Sequence, residues 1–141
     1  MTHYVVLLTI AMQGSRVILV VDDEESVRLL LSTLLERDSY KVLLANDGQH
    51  ALEVARKHTG EINALVTDYK MPRLDGLELA KVLSAERPGM RVMIMSGRMS
   101  NPEALRQSGF PLLPKPFTIS GFLASLKRCL ETPTTGPPAL G

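Results

Sequence analysis

A chain of 141 residues, 45% apolar and 22% charged, has room for one domain with a real core and is too short for two of ordinary size. Its net charge of +1 excludes a general electrostatic affinity for nucleic acid or anionic membrane, and its single cysteine, Cys129, excludes an internal disulfide and fits a reducing compartment. Tyr4 to Met12 is apolar but too short to span a bilayer, and it lacks the basic start and cleavage site of a secretory signal, so the cytoplasm is the expected location.

Residues 1–15 do not share the rhythm of the rest. They are expected to be a disordered leader or the product of a start codon placed too early, rather than an added strand, because Gln13-Gly14-Ser15 separates them like a linker. From Arg16 onward, short Val-, Ile- and Leu-rich runs alternate with helical patterns, and such runs read as buried parallel strands. Val17-Ile18-Leu19-Val20-Val21 leads into Asp22-Asp23. A helix follows with Val27, Leu30, Leu31 and Leu34 inward, capped by Ser26 or an acid just before it. Tyr40 to Ala45 is the second strand, Asp47-Gly48 a turn signal, and the second helix turns Ala51, Leu52 and Ala55 inward. The third strand runs from Ile62 to Asp68, and Met71 to Gly76 forms a loop. The third helix buries Leu79, Ala80 and Leu83 until Pro88-Gly89 stops it.

The fourth strand, with Met93 and Met95 as core or sheet-face residues, ends at Ser96-Gly97. Asn101 as cap and Pro102 as first helical residue then start a helix that Gly109 and Pro111 keep short. Leu112-Leu113 leads through Pro114 to Lys115. Ile119, Phe122, Leu123, Leu126 and Leu130 stripe a last helix, and residues 132–141 read as a disordered Pro- and Thr-rich tail. Five βα units in succession predict a three-layer αβα sandwich with a parallel five-stranded sheet.

In such a sheet the functional crevice lies beyond the carboxyl ends of the strands. That rule brings Asp22, Asp23, Asp68, Ser96 and Lys115 to one edge, a set suited to a divalent cation and a phosphoryl group. Three carboxylates at about 4 Å repel by roughly 4 kcal/mol per pair at an effective dielectric near 20, and a divalent cation with one lysine relieves this. Each residue has a plainer reading alone. Asp22-Asp23 could cap a helix, Asp68 could be a turn acid before Pro72, Ser96 a strand-end hydroxyl, and Asp75-Gly76 turn chemistry without a catalytic role. Lys115 between two prolines is harder to dismiss, and its X-Pro bonds are candidates for the cis form. It is the joint placement that defeats these readings. His3, His50 and His58 are expected to be solvated, and Cys129 to pack rather than react.

These residues resemble the receiver domain of two-component response regulators from Arg16 to Glu131. The resemblance rests on Asp22-Asp23, Asp47-Gly48, Asp68-Tyr69-Lys70-Met71-Pro72 with Asp75-Gly76, Ser96-Gly97 and Lys115-Pro116-Phe117, all in order. It implies a flavodoxin-like strand order of 2-1-3-4-5 and a domain over residues 16–131. Asp68 would be the phosphoacceptor. Asp23 would hold Mg²⁺ (or Mn²⁺) directly, Asp22 would help through coordinated water, and Asp68 and the Lys70 carbonyl would complete the ligands. Ser96 and Lys115 would contact the phosphoryl group. The donor would be a histidine kinase or phosphotransfer protein, with an output protein beyond it; no DNA-binding domain fits in the roughly ten residues after the last helix, the near-neutral charge suggests no membrane contact, and the chain either acts alone or is the receiver piece of a larger protein such as a hybrid histidine kinase. Lys70 and Arg98, two residues after Asp68 and Ser96, are candidate modulators of phosphoryl lifetime.

One position departs from the family. Receivers usually carry an aromatic residue three before the lysine; here it is Leu112, with Phe110 one step earlier on the same face, and the Ser96–Lys115 stretch is short by about one helical turn. An altered switch is therefore expected. The alternatives are a phosphorylation-independent pseudo-receiver, which the complete acidic, serine and lysine set opposes, and an aspartyl-phosphate phosphohydrolase. The second needs Asp-x-Asp spacing and a cap domain, whereas Asp22-Asp23-Glu24 has the wrong spacing.

Overall fold

The structure, a computed structural model, describes residues 16–97 and 102–132. Five strands, β1 (Val17–Val21), β2 (Lys41–Ala45), β3 (Ala64–Asp68), β4 (Arg91–Ser96) and β5 (Leu112–Pro114), form one sheet in the order β2-β1-β3-β4-β5. All pairings are parallel, and in register Ile18 faces Ala64, Asp68 faces Met95 and Ser96 faces Pro114. Five helices connect them: α1 (Glu25–Arg37), α2 (Gly48–Lys57), α3 (Gly76–Glu86), α4 (Glu103–Gln107) and α5 (Ile119–Glu131). This is the sandwich and strand order that the sequence predicts, short fourth helix included.

Because side chains alternate across a strand, each inner strand feeds two cores. Leu19, Val21, Leu65, Val92 and Ile94 face α2, α3 and α4, whose Leu52, Leu79, Leu83 and Leu105 complete the first cluster. Ile18, Val20, Val66, Met93 and Met95 face α1 and α5, with Leu31, Leu35, Phe122 and Leu126, in the second. Both methionines are thus core residues, and Cys129 packs beside them.

Several local expectations are corrected. Leu30 is 49% exposed, because the inward face of α1 runs through Leu31, Leu34 and Leu35 and adjacent helical residues differ by about 100°. Ile119 is 54% exposed at the first position of α5, beyond the sheet contact. Asp47-Gly48 is not a turn: Asp47 caps α2, accepting the His50 N–H, and Gly48 is its first residue. Asp75 likewise caps α3 in a reciprocal box with Glu78. The cap position of α1 is Glu24, which makes no side-chain cap bond, and Ser26 lies inside the helix. Pro102 is the cap of α4 rather than its first residue. Thr132, the expected start of the tail, caps the end of α5 and receives the Arg91 guanidinium on its carbonyl.

The expectations placed on residues 1–15, Arg98, Asn101 and residues 133–141 lie outside the described residues. Among the described residues no helix is long and apolar enough to cross a membrane.

Candidate functional site

The carboxyl ends of β1, β3 and β4 and the residue after β5 converge. Asp22 follows β1 directly and is fully buried. Its N–H donates to the Ala45 carbonyl at 3.3 Å and its Oδ1 accepts the Glu24 N–H at 2.9 Å. The Arg28 guanidinium donates from α1 to the Asp22 carbonyl at 2.7 Å. Asp23, next in line, is exposed. Asp68 is the last residue of β3 and is buried, with Gly76 so close that a Cβ there would sit 2.2 Å from the Asp68 carbonyl oxygen. That contact needs glycine for space alone.

Lys115 reaches in from the far side. Its Nζ lies 2.9 Å from Asp68 Oδ1 and 3.9 Å from Asp22 Oδ2. Its N–H donates to the Ser96 carbonyl at 2.8 Å, and the Lys115–Pro116 bond is cis, one of the two X-Pro bonds singled out in the sequence. Burial works against the ammonium, but the hydrogen bond to Asp68 and the fields of Asp68, Asp22 and Glu24 outweigh it and hold the proton more tightly than in a free lysine. Ser96 is buried at the end of β4, and among the described residues a Cβ on Gly97 would meet nothing within 4 Å.

Asp22, Asp23 and Asp68 each offer a carboxylate oxygen within 4.8 Å of the others. Burial raises the Asp22 acid; the Glu24 N–H opposes this, the Asp68 carboxylate adds to it, Lys115 opposes it and Asp23 adds a little. Asp22 Oδ2 is buried without a hydrogen-bond partner among the described residues. Three carboxylates against one ammonium, and an orphaned buried oxygen, form an all-oxygen donor set that fits a hard divalent cation.

Lys70 is exposed in the loop after β3. Leu112 and Phe110 are both half-buried against the first core cluster, on one face as their spacing predicts. His50 is half-buried, and its Nδ1 accepts the Asn46 N–H at 3.1 Å. The Cys129 thiol is buried, donates toward the Val92 carbonyl at 3.5 Å, and is pushed up by that burial. Arg28 is the neighbour of the site that the sequence did not announce. It lies in the first turn of α1, and no spacing pattern in the sequence pairs it with the Asp22 carbonyl.

The family model for the response regulator receiver domain matches residues 18–127. The chain is 38% identical over 117 residues to the response regulator MprA of Mycobacterium leprae, covering 81% of this chain and 50% of that protein. It is 32% identical over 123 residues to the sensor kinase CckA of Brucella abortus, covering 85% of this chain and 13% of the kinase. It spans about half the length of the MprA relatives it matches. Among solved structures, the receiver domain of the hybrid histidine kinase CckA superposes with a TM-score of 0.69 at 33% identity, over 82% of this chain and 99% of that one. A receiver domain protein from Clostridium thermocellum gives 0.74 at 28%, over 82% and 94%. Strand order, acidic edge and these matches agree, and the chain belongs to the response regulator receiver domain family of two-component signalling.

Proposed function

We propose that this chain is a phosphoacceptor switch that takes a phosphoryl group on Asp68 from the phosphohistidine of a kinase or phosphotransfer protein. The observation that carries this reading is the Lys115–Asp68 ion pair at 2.9 Å beside the buried Asp22 Oδ2, which has no hydrogen-bond partner among the described residues. A carboxylate oxygen of Asp68 forms the new O–P bond as the donor's N–P bond breaks, and the electron pair leaves with the imidazole nitrogen. Lys115, still protonated, passes from the carboxylate to a phosphoryl oxygen. Ser96 donates its hydroxyl to another, and its burial at the strand end keeps that hydroxyl in place.

Asp22, Asp23, Asp68 and the Lys70 carbonyl would hold Mg²⁺ or Mn²⁺, which when bound supplies positive charge against the acidic cluster and the transferring oxygens. Side chains of Lys70 and Arg98 set the lifetime of the phosphoryl group, so alanine at either changes the dephosphorylation rate. The chain performs no chemistry beyond its own phosphoryl transfer and release. Its setting is the cytoplasm, its domain spans residues 16–131, and its relatives include both a regulator and a receiver within a hybrid kinase.

The test is incubation with acetyl phosphate and Mg²⁺, read by intact mass beside Asp68→Asn. One phosphate that requires Mg²⁺ and disappears in the variant is expected. If neither acetyl phosphate labels the folded chain nor beryllofluoride with Mg²⁺ binds it, the pseudo-receiver reading replaces this one.

A further inference from the structure

The loop between β3 and α3, residues 69–75, is fastened to its surroundings at several points. The Gly76 N–H donates to the Tyr69 carbonyl at 2.8 Å and closes its base. Met71 is buried in the first core cluster. Leu74 lies against the start of α2, where a Cβ on Gly48 would come within 2.5 Å of the Leu74 carbonyl oxygen. The last fastening is ionic: Arg73 Nη2 stands 3.0 Å from Asp47 Oδ2. Asp47 is held from the other side, since its Oδ1 accepts the His50 N–H at 2.8 Å. That hydrogen bond, foremost, and the Arg73 guanidinium hold its acid below the usual carboxylate range.

Arg73 itself has φ of 69°, the left-handed region that disfavours any residue with a Cβ. Its side chain is 74% exposed, so packing does not keep it there. The Leu74 N–H donates to the Pro72 carbonyl at 2.9 Å across Arg73 and closes the turn, and the ion pair to a carboxylate anchored on α2 is the side-chain tie upon it. Neither residue belongs to the acidic cluster.

We propose that Asp47 and Arg73 are a positioning pair for the metal site: by bracing the turn that carries Arg73 in the left-handed conformation they steady the backbone path from Asp68 to Asp75, and so the Lys70 carbonyl. This rests on the reading that the acidic cluster and that carbonyl bind Mg²⁺. The pair acts through the loop, and its effect on cation affinity is modest because one partner is solvent-exposed.

The sign of the effect separates positioning from simple charge. Acting through space, loss of the Arg73 cation would tighten a divalent cation and loss of the Asp47 anion would loosen it. Acting through the loop, both losses loosen it. The test is Mg²⁺ titration of the full chain by calorimetry, with Arg73→Ala, Arg73→Gly, Asp47→Asn and the double variant Asp47→Asn/Arg73→Ala. Asparagine keeps the oxygen that accepts from His50 and remains a good helix cap.

Arg73→Ala and Asp47→Asn are each expected to weaken Mg²⁺ binding by roughly two- to fivefold, and the double variant by no more than either. Glycine adopts the left-handed backbone without strain, so Arg73→Gly binds more tightly than Arg73→Ala. Unchanged or tightened affinity in Arg73→Ala, multiplicative losses in the double variant, or glycine binding no better than alanine would each overturn the proposal. A parent chain that binds no Mg²⁺, indistinguishable from its Asp23→Asn control, would instead overturn the metal reading beneath it.

Discussion

Asp22→Asn is expected to stabilise the metal-free fold and to remove most of the stability that Mg²⁺ adds. The side chain is fully buried; Oδ1 accepts the Glu24 N–H, which an amide oxygen retains, while Oδ2 has no hydrogen-bond partner. At 4.8 Å, the outer limit of the carboxylate separations, two like charges repel by ~3.5 kcal/mol at an effective dielectric of ~20. Lys115, at 3.9 Å from Asp22 Oδ2, attracts it by ~4 kcal/mol on the same scale. Asp23 is exposed and its repulsion is largely screened, so the Asp68 repulsion and the Lys115 attraction nearly cancel, and desolvation remains as the cost of the charge. An amide has no charge to desolvate, so the variant should gain on the order of 1 kcal/mol, or about 4 °C in Tm for a chain of this size.

The pH dependence fixes the sign independently. An acid raised by burial contributes most stability when protonated, below the ordinary aspartate range, and loses it as pH rises through its folded value. The gap between variant and parent therefore opens from the acid range toward neutrality. Denaturant unfolding with EDTA and with millimolar Mg²⁺, at several pH values, reads both effects. A variant less stable than its parent in EDTA, or one that gains as much from Mg²⁺, would refute the reasoning.

Two further substitutions probe the scaffold. Gly76→Ala places a methyl 2.2 Å from the Asp68 carbonyl oxygen and 2.9 Å from the Tyr69 Cα, so the end of β3 must move. A loss of ~1–3 kcal/mol in urea unfolding and weaker Mg²⁺ stabilisation are expected, whereas Gly89→Ala, with nothing within 4 Å, stays within about 0.5 kcal/mol of the parent. Arg87→Ala removes guanidinium hydrogen bonds to the carbonyls of Ala55, His58 and Gly60, which tie α3 to the end of α2. It should lower stability by ~1–3 kcal/mol in urea while acetyl phosphate labelling, read by intact mass, is unchanged.

What could be read from the sequence was whatever one strand or helix decides alone. Val17 to Val21 is apolar on both faces because both faces are covered, and the acids at its end fall where the sheet rule puts them. Asp47-Gly48 reads as a turn because turns and helix caps select the same residues, and the hydrogen bond from the His50 N–H to Asp47 decides for the cap. Leu30 reads as inward because Val27, Leu30, Leu31, Leu34 and Leu35 offer more apolar positions than one face can bury. Arg28 and Arg73 escaped notice for a different reason. Each is a long side chain whose partner, the Asp22 carbonyl or the Asp47 carboxylate, is brought near by tertiary structure, and no spacing rule encodes that.

The same distinction bears on how the proposed switch would be read by a partner. Backbone bonds join the site strands laterally: Tyr69 N–H to Met95, and Lys115 N–H to Ser96, each at 2.8 Å. Movement of Ser96 toward a phosphoryl oxygen would thus be felt at Lys115 without any side-chain relay. Leu112, paired in register with Ile94, has no ring to swing between two environments, and it rests with Phe110 on the first core cluster. The element beside them is α4, five residues long and anchored by one buried side chain, Leu105, against three in α1 and five in α3. Local stability follows buried apolar contact, so α4 is the helix that costs least to displace. A receiver that lacks the aromatic lever would still carry a movable element next to its phosphoryl contacts, and the change that a partner senses would be a shift of α4 as a whole rather than the rotation of one ring.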